Sequence, residues 1–399
     1  MNAFEVLKAR GFVKQFTEGA PALLAGDKVT FYVGFDPTGK SLHVGHLLPV
    51  MAMAHLQRAG HVPIAIVGGG TAMVGDPTGR DSSRPIMTLE RLEENKEGLR
   101  RQLSLLLDLS EGQGMLVDNA EWLCEWNYLE FLRDVGVHFP MMPMLNKASV
   151  QERLKKGMSF LEFNYQLLQA YDFLELYRRH GCILQMGGDD QWGNIVAGVD
   201  LIRRVEQTQA HALTFPLLAR SDGKKMGKTA DGAVWLDPDL LSPYDYFQYW
   251  INVDDRDVGK LLRIFTFLPL ERIEELEALS GSQVREAKRV LALEATAIIH
   301  GRTEAQKALE GARAAFEGGA AKAAMPQQKV ELGVFVTSVL KEAGLCSSTS
   351  DARRQIQGNA VRLGEVKVTD VKRALAAEDF VDGEVVLWKG KKKAVRLVL

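Results

Sequence analysis

Short apolar runs and longer amphipathic stretches alternate along the first half of the chain. The run Val29–Gly34 (VTFYVG) predicts a buried strand, Val44–Arg58 a helix, and Val62–Val67 (VPIAIV) a second strand. A later run, Cys182–Met186 (CILQM), predicts another strand that leads through two glycines into a helix over Gln191–Val205. Alternating strands and helices indicate an α/β fold with a doubly wound, mostly parallel sheet, in which ligands bind at the carboxyl ends of the strands.

The pattern changes beyond this alternating region. Residues Ala120–Phe163 carry aromatic residues and methionines at mixed spacing, which suits either an inserted helical segment at a subunit interface or core packing. From Ser242 to about Phe316 the pattern is helical, and the small polar stretch Glu317–Lys329 predicts a linker. We therefore predict three parts: 1–220 as the α/β domain with the inserted segment, 221–320 as a lysine-rich loop and a helical domain, and 333–399 as a compact C-terminal domain.

Composition narrows the class of protein. The chain has 399 residues, of which 46% are apolar, so it can bury the cores of two or three globular domains. Its three cysteines, Cys124, Cys182 and Cys346, are far apart and lack CxxC spacing, which predicts neither a disulfide framework nor a metal site. No stretch approaches the length of a membrane span or of a signal segment. We expect a cytoplasmic protein without membrane contact.

Charge is unevenly distributed along the chain. The net charge is −2, but residues Gly333–Leu399 hold 12 Lys and Arg against 8 Asp and Glu. This C-terminal excess of basic residues suits contact with a polyanion, although a basic segment is also typical of an ordinary solvated face.

Two segments carry most of the candidate chemistry. Asp36–Pro49 (DPTGKSLHVGHLLP) connects the first strand to a helix, and His43 and His46 flank Gly45 at the start of that helix. A glycine there lets an adenine ring approach the backbone, while the helix N-terminus and both imidazoles favour phosphate charge, so a nucleotide site is predicted. The second segment, Ser221–Thr229 (SDGKKMGKT), is a lysine-rich loop that, taken alone, is equally typical of an exposed turn.

Together these segments resemble the HIGH and KMSKS signatures of class I aminoacyl-tRNA synthetases, here His43-Val44-Gly45-His46 and Lys225-Met226-Gly227-Lys228-Thr229. Further stretches resemble bacterial tyrosyl-tRNA synthetases in the same order along nearly the whole chain: Tyr32–His46, Gly68–Pro77, Ser159–Phe173, Gln185–Asn194 and Val234–Trp250. The resemblance implies a Rossmann-like catalytic domain, a helical domain and a small α+β S4-type RNA-binding domain. It also implies that tyrosine, activated by ATP with Mg²⁺, is transferred to the 3′ end of tRNA(Tyr).

The same resemblance implies roles for individual residues in ATP binding. Thr38, His43 and His46 would contact the phosphates. Lys225, Lys228 and Thr229 would close over the pyrophosphate, joined by Arg80 and Arg84. The remaining ATP-binding residues would be Asp36, Gly45, Gly188 and Asp190, with the last two at the ribose. Asp189 departs from the family pattern, which has Ser there, and is expected to add a negative charge near the ribose.

For tyrosine, the resemblance implies that Tyr32 and Asp172 meet the phenol. A buried pocket that hydrogen-bonds this hydroxyl rejects phenylalanine, because its polar groups would be left unpaired. Tyr165, Gln169 and Asp76 would hold the ammonium group, supported by Thr71, Asn119 and Gln191. Spacings of four and three residues place Tyr165, Gln169 and Asp172 on one helix face.

On the RNA side, Ser347–Val368 resembles the S4-type fold, with Arg353 and Arg354 on a helix, a turn at Asn359 and then a strand. Binding there would depend mainly on shape and on phosphate contacts. Lys147, Arg203 and Arg204 resemble positions that contact the acceptor stem. Bacterial members of the family are homodimers, and the segment before Phe160 would supply the interface.

Three other interpretations compete with this one. A tryptophanyl-tRNA synthetase shares the fold and both signatures, but Tyr32 with Asp172 favours a phenol ligand. A small nucleotidyltransferase would lack the lysine loop and the RNA-binding module. A non-enzymatic RNA-binding protein is opposed by the intact His43, His46, Lys225 and Lys228.

Overall fold

The computed structural model describes residues 1–78, 87–223, 226–229, 232–317, 325–390 and 393–399. Arg80, Arg84 and Lys225, which the sequence places at the ATP phosphates, lie outside these residues. The chain divides into two compact units. The first comprises Met1–Leu240 and Asp254–Ala287, and the second comprises Leu241–Val253 and Lys288–Leu399.

The elements are numbered in chain order. The strands are β1 (Thr30–Phe35), β2 (Val62–Val67), β3 (Met115–Asp118), β4 (Leu184–Gly188), β5 (His211–Phe215), β6 (Lys228–Thr229), β7 (Gly232–Ala233), β8 (Gln327–Lys329), β9 (Val361–Leu363), β10 (Val366–Lys367), β11 (Glu384–Lys389) and β12 (Lys393–Val398). The helices are α1 (Ala3–Ala9), α2 (Ala20–Ala25), α3 (Val44–Arg58), α4 (Gly69–Ala72), α5 (Leu89–Leu106), α6 (Ala120–Leu123), α7 (Tyr128–Asp134), α8 (Met141–Leu145), α9 (Ala148–Leu154), α10 (Phe160–His180), α11 (Trp192–Glu206), α12 (Pro243–Ile251), α13 (Val258–Phe265), α14 (Leu270–Glu277), α15 (Val284–His300), α16 (Arg302–Glu317), α17 (Val336–Glu342) and α18 (Thr349–Gln357).

A five-stranded sheet with the order β3-β2-β1-β4-β5 forms the centre of the first unit, and all its neighbours are parallel. Every residue of β2 is buried, as expected for a strand covered by helices on both faces. The strand order reverses between β1 and β4, so the loops that follow these strands separate and leave a crevice at their carboxyl ends. The predicted α/β doubly wound fold is confirmed.

Two helices of the first unit have strong start signals. In α3, the imidazoles of His43 and His46 reciprocally cap the first turn. In α10, Ser159 and Glu162 form a capping box, and the helix ends at Gly181 in the left-handed conformation, with φ of 61°. Glu162 also forms a buried ion pair with Arg153, at 2.9 Å, which attaches α9 to the start of α10.

The second unit contains a sheet with the order β10-β9-β11-β12-β8. Helices α17 and α18 share one apolar core with this sheet, in which Val339, Ile356 and Leu387 are buried. The local structure predicted around Arg353 and Arg354 is confirmed, because α18 is followed by a turn at Asn359, with φ of 56°, and then by β9.

One boundary prediction is wrong. The stretch Gln327–Lys329 was expected to end the linker, but it forms β8 and pairs in parallel with β12. Backbone bonds define this strand, including the one from Val330 N–H to the carbonyl of Val398 at 2.9 Å. Its polar side chains lie at the edge of the sheet and therefore give no apolar signal. The helical pattern predicted from Ser242 onward is confirmed by α12 to α16.

Candidate active site

A cavity of about 880 Å³ opens at the carboxyl ends of β1 and β4 in the first unit. Residues far apart in sequence converge on it, and most of the predicted site residues line it. These are Tyr32, Asp36, Thr38, His43, His46, Thr71, Asp76, Asn119, Tyr165, Gln169, Asp172, Gly188, Asp190 and Gln191.

Asp172 lines the cavity and is only 3% exposed. Its Oδ1 accepts the indole N–H of Trp122 at 2.8 Å, and its Oδ2 accepts the side-chain amide of Asn119 at 2.9 Å. A carboxylate has lone pairs for about four hydrogen bonds, so each oxygen can accept one more. The hydroxyl of Tyr32 is also buried here, 3.5 Å from the carbonyl oxygen of Gln169.

Burial controls the ionisation of both groups. It raises the pKa of Asp172 to about 7, opposed by the bonds from Asn119 and Trp122 and reinforced by the charges of Asp36 and Asp118. Burial, together with the nearby Asp172, raises the pKa of Tyr32 well above its ordinary value. Tyr32 therefore keeps its proton at neutral pH and can donate it, whereas Asp172 titrates in the neutral range.

Two further carboxylates, Asp36 and Asp76, line the cavity. Asp36 accepts from the hydroxyls of Thr71 at 2.9 Å and Tyr165 at 3.1 Å. Asp76 accepts from the amide of Gln191 at 2.6 Å. Asp36, which the sequence assigns to ATP, is thus bonded to two residues assigned to tyrosine, and the negative charge suits an ammonium group.

The HxGH turn presents two stacked imidazoles, with ring centroids 3.9 Å apart. His43 Nδ1 accepts the backbone N–H of Gly45 at 3.0 Å, and His46 Nδ1 accepts that of His43 at 3.2 Å. Because each Nδ1 acts as an acceptor, each neutral ring carries its proton on Nε2. Both residues line the cavity, so this site offers N–H donors at the N-terminus of α3.

The lysine-rich segment passes directly over this turn. Gly227 has φ of 94°, and a Cβ at that position would lie 3.1 Å from the backbone nitrogen of Gly45. A glycine therefore permits this close approach of two backbones. Val44 N–H also donates to the carbonyl of Val234 at 3.0 Å. The side chains of Lys228 and Thr229 lie outside the described part of the chain.

Asp189, which is expected to add a negative charge near the ribose, is absent from the described lining of the cavity itself. Its Oδ1 accepts from Gln15 at 2.6 Å and from Thr214 at 2.9 Å. This arrangement attaches the N-terminal segment to the turn after β4. Gly188 and Asp190, on either side, still line the cavity.

Sequence reasoning missed several residues of this site. Trp122, which binds Asp172, gave no signal beyond its place three residues after Asn119. Gln185 lines the cavity at 2% exposure, and its Oε1 has no hydrogen-bond partner among the described residues. A lone polar residue in the apolar run CILQM was the signal that could have identified it.

The residues assigned to tRNA do not line the cavity. Lys147 donates to the carbonyl of Gly193 at 2.6 Å, and burial lowers its pKa to about 8. Arg203 pairs with Asp200 at 3.3 Å, and Arg204 donates to the carbonyl of His138. Arg353 and Arg354 are exposed on α18 of the second unit.

The Ala120–Phe163 segment combines buried and exposed apolar side chains. Trp122, Phe131, Val135 and Met144 belong to a buried cluster. Others are more than half exposed: Tyr128, Leu129, Val137, Met141, Met142 and Phe160. The buried residues agree with the core-packing interpretation. The exposed residues form an apolar surface of the kind found at interfaces.

Three observations concern metals, membranes and cysteines. The described residues contain no group of three or more His, Cys, Asp or Glu side chains that could hold a metal ion. Nor do they include a helix that is both long and apolar enough to cross a membrane. Cys124, Cys182 and Cys346 are free.

Comparisons with known proteins find similar chains over the whole sequence. The family of class I tRNA synthetases for tryptophan and tyrosine matches residues 24–317, and the SYY-like C-terminal domain of tyrosine–tRNA ligases matches residues 317–397. The tyrosine–tRNA ligase of Clostridium tetani is 48% identical over 403 residues, covering 100% of this chain and 99% of the relative. That of Caldanaerobacter subterraneus is 48% identical over 404 residues, with 100% of both chains covered.

A solved structure is also similar. It is a C-terminally truncated mitochondrial tyrosyl-tRNA synthetase from Aspergillus nidulans, 31% identical with a TM-score of 0.70. The likeness covers 78% of this chain and 93% of that one.

Proposed function

The chain belongs to the tyrosine–tRNA ligases, within the class I tRNA synthetase family, and we propose that its cavity divides the activation step among three groups of residues. One group recognises the phenol, a second holds the ammonium group, and a third binds the ATP phosphates. The bonding of Asp172 is the observation that carries the proposal, because a buried carboxylate oxygen with a lone pair left over can accept one more hydrogen bond, such as that of a phenol.

At the buried Asp172 and Tyr32, the substrate's phenol donates a hydrogen bond to Asp172, and Tyr32 donates to the phenol oxygen. Phenylalanine would offer no hydroxyl to the remaining lone pairs of Asp172 or to Tyr32, so both buried groups would lose the bonds that a phenol provides, which disfavours its binding. An indole could supply one N–H donor but no acceptor for Tyr32. The arrangement of Tyr32 and Asp172 therefore favours tyrosine over tryptophan.

The ammonium group of tyrosine lies among Asp76, Tyr165 and Gln169, with Thr71, Asn119 and Gln191 supporting them. Asp36 also faces this group, because its carboxylate already accepts from Thr71 and Tyr165. Fixing the ammonium group orients the substrate carboxylate, which is already an anion at neutral pH. It can then attack the α-phosphate of ATP and expel pyrophosphate without a general base.

The protein's task in this step is alignment and charge stabilisation. Thr38, His43 and His46 donate to the phosphates from one side, and Lys225, Lys228 and Thr229 with Arg80 and Arg84 close from the other. Gly45 admits the adenine, and Gly188 with Asp190 binds the ribose. ATP enters as its magnesium complex, with the ion held mainly by phosphate oxygens and water, as is usual for Mg²⁺.

For transfer, tRNA(Tyr) contacts the basic second unit through Arg353 and Arg354 and the first unit through Lys147, Arg203 and Arg204. The exposed apolar residues of the Ala120–Phe163 segment pair in a homodimer, and the enzyme works in the cytoplasm. The 333–399 part acts as the S4-type domain, while 1–220 and 221–320 provide the catalytic and helical parts.

The test is exchange of labelled pyrophosphate into ATP, run separately with each natural amino acid. We expect exchange with tyrosine and only background exchange with phenylalanine or tryptophan. Comparable exchange with phenylalanine would contradict the role given to Tyr32 and Asp172.

A further inference from the structure

One face of α5 holds the backbone of the loop that leads into the HxGH turn. The amide of Asn95 donates to the carbonyl of Pro37 at 3.0 Å. Farther along the helix, the amide nitrogen of Gln102 donates to Ser41 Oγ at 2.9 Å, and its oxygen accepts the N–H of Leu42 at 2.7 Å. Asn95 and Gln102 are 1% and 5% exposed, so these bonds are shielded from water.

Gly98 lies between these two residues on the same helix face, since spacings of three and four return to one side of a helix. A Cβ at Gly98 would overlap the carbonyl oxygen of Lys40. The helix backbone therefore touches the loop directly, and only glycine permits this contact. Asn95, Gly98 and Gln102 contact the loop at its start, its middle and its end.

The end of the loop is also joined to the segment that follows the lysine signature. Ser41 Oγ, besides bonding Gln102, accepts the backbone N–H of Asp237 at 3.2 Å. Leu236 N–H donates to the carbonyl of Leu42 at 2.9 Å. Gln102 therefore sits where α5, the loop before the HxGH turn and the segment after the lysine signature meet.

We propose that Asn95, Gly98 and Gln102 are positioning residues for the activation step. They hold Pro37–Leu42 so that Thr38, within it, and His43 and His46, just after it, converge on the ATP phosphates. The inference rests on the proposed function of Thr38, His43 and His46 in binding the ATP phosphates. Asn95, Gly98 and Gln102 are absent from the described lining of the cavity, so they act through the loop backbone.

Small displacements of groups that stabilise transition-state charge lower the rate steeply, whereas ground-state binding elsewhere in the cavity changes little. The phenol position is formed by Tyr32 of β1 and Asp172 of α10, and the ammonium position by Asp76 with Tyr165 and Gln169 of α10, so none of these residues belongs to Pro37–Leu42. Loosening the α5 contacts is therefore expected to lower the rate of adenylate formation and to leave tyrosine affinity nearly intact.

Two variants test this inference. Gln102→Met keeps the side-chain volume but removes the hydrogen bonds of this side chain to Ser41 and Leu42, and Gly98→Ala inserts a methyl group against Lys40. The control is Leu103→Ala on the same helix, where Leu103 is fully buried and has no place in the proposed machinery. For each protein we would measure the kcat and the ATP KM of pyrophosphate exchange, the tyrosine Kd and the Tm.

We expect both test variants to lower kcat/KM for ATP by roughly tenfold to a hundredfold, with the tyrosine Kd within about twofold of wild type. Leu103→Ala should lower the Tm and leave both constants near wild type. Wild-type ATP kinetics in Gln102→Met and Gly98→Ala would overturn the inference, as would an equal kinetic loss in Leu103→Ala. If the unaltered protein showed no tyrosine-dependent exchange, the proposed function itself would fail, and the inference with it.

Discussion

Trp122 donates its indole N–H to Oδ1 of Asp172 across 2.8 Å, and both side chains are buried. A donor aimed at a carboxylate stabilises its charged form and so lowers the pKa that burial raises. The bond also fixes the direction of the lone pair left for a phenol. Trp122 therefore affects both the charge and the orientation of the carboxylate that is proposed to recognise tyrosine.

Replacing Trp122 with Phe removes this donor and should weaken tyrosine binding about tenfold near neutral pH, since a hydrogen bond to a charged group contributes roughly 1.5–3 kcal/mol. Equilibrium binding by calorimetry measures the change. Trp388→Phe, in the second unit, is the matched control and should bind tyrosine normally. Unchanged affinity in Trp122→Phe would show that the bond does not position Asp172.

The pH dependence of tyrosine binding should report the ionisation of Asp172. Its pKa is raised to about 7 in the free protein, so the carboxylate that is proposed to accept the phenol's hydrogen bond becomes populated as the pH rises through this value. Tyrosine affinity should therefore increase from pH 6 to pH 8 and then level. Phenylalanine is the control ligand, because it has no phenol proton to donate. A flat profile for tyrosine would contradict the role of Asp172 as acceptor.

Asp172→Asn should also change the pH dependence of stability. An Asp whose pKa rises from 3.8 to about 7 on folding holds its proton more tightly in the folded state. The free energy of unfolding of the wild type therefore decreases as the pH rises from about 4 to 7. Above that range, the loss caused by the charged Asp172 is constant. The Tm of Asp172→Asn, relative to wild type, should rise from pH 5 to pH 7 and then stay level. Parallel Tm curves for the two proteins would refute the raised pKa.

Asp172→Asn is expected to lose tyrosine-dependent pyrophosphate exchange as well. Its amide would place an N–H₂ group against the donors of Trp122 or Asn119, and the phenol would lose its charged acceptor. Exchange at the wild-type rate would exclude Asp172 from tyrosine recognition.

Lys228→Ala should slow adenylate formation by about a hundredfold and leave the tyrosine Kd nearly unchanged, because the lysine is proposed to meet pyrophosphate charge mainly in the transition state. Single-turnover rates and equilibrium binding separate the two effects. Lys28→Ala, a surface change in the same unit, serves as the control. A loss of tyrosine affinity as large as the loss of rate would assign Lys228 a different role.

Removing residues 325–399 should leave pyrophosphate exchange largely intact and depress tRNA charging. The cut precedes β8 because this strand pairs with β12, and a later cut would leave an unpaired strand behind. Charging by the full chain should also weaken as salt rises, since phosphate contacts release counterions. Aminoacylation and exchange at two salt concentrations measure this, with a thermal melt as the folding control. Wild-type charging by the truncated protein would exclude the C-terminal part from tRNA binding.

Much of this protein follows from local pattern. Apolar periodicity predicted β1, α3 and β2 to within a residue of their observed bounds, because burial on a strand or helix repeats at short, regular intervals. The spacing of Tyr165, Gln169 and Asp172 placed them on one face of α10, and all three line the cavity. The signature segments, read together, identified the enzyme family.

Other features were decided only by the tertiary structure. Asp189 bonds Gln15, which is 174 residues away, and Asp172 bonds Trp122, which is 50 residues away. The contacts of α5 with Pro37–Leu42 and the pairing of β8 with β12 likewise join distant segments. No short-range spacing encodes such partners, because a hydrogen bond across the fold depends on where packed elements bring two backbones together. The sequence determined the helices and strands and the candidate functional residues at their ends. The packing of these elements decided which other side chains hold the functional residues in place.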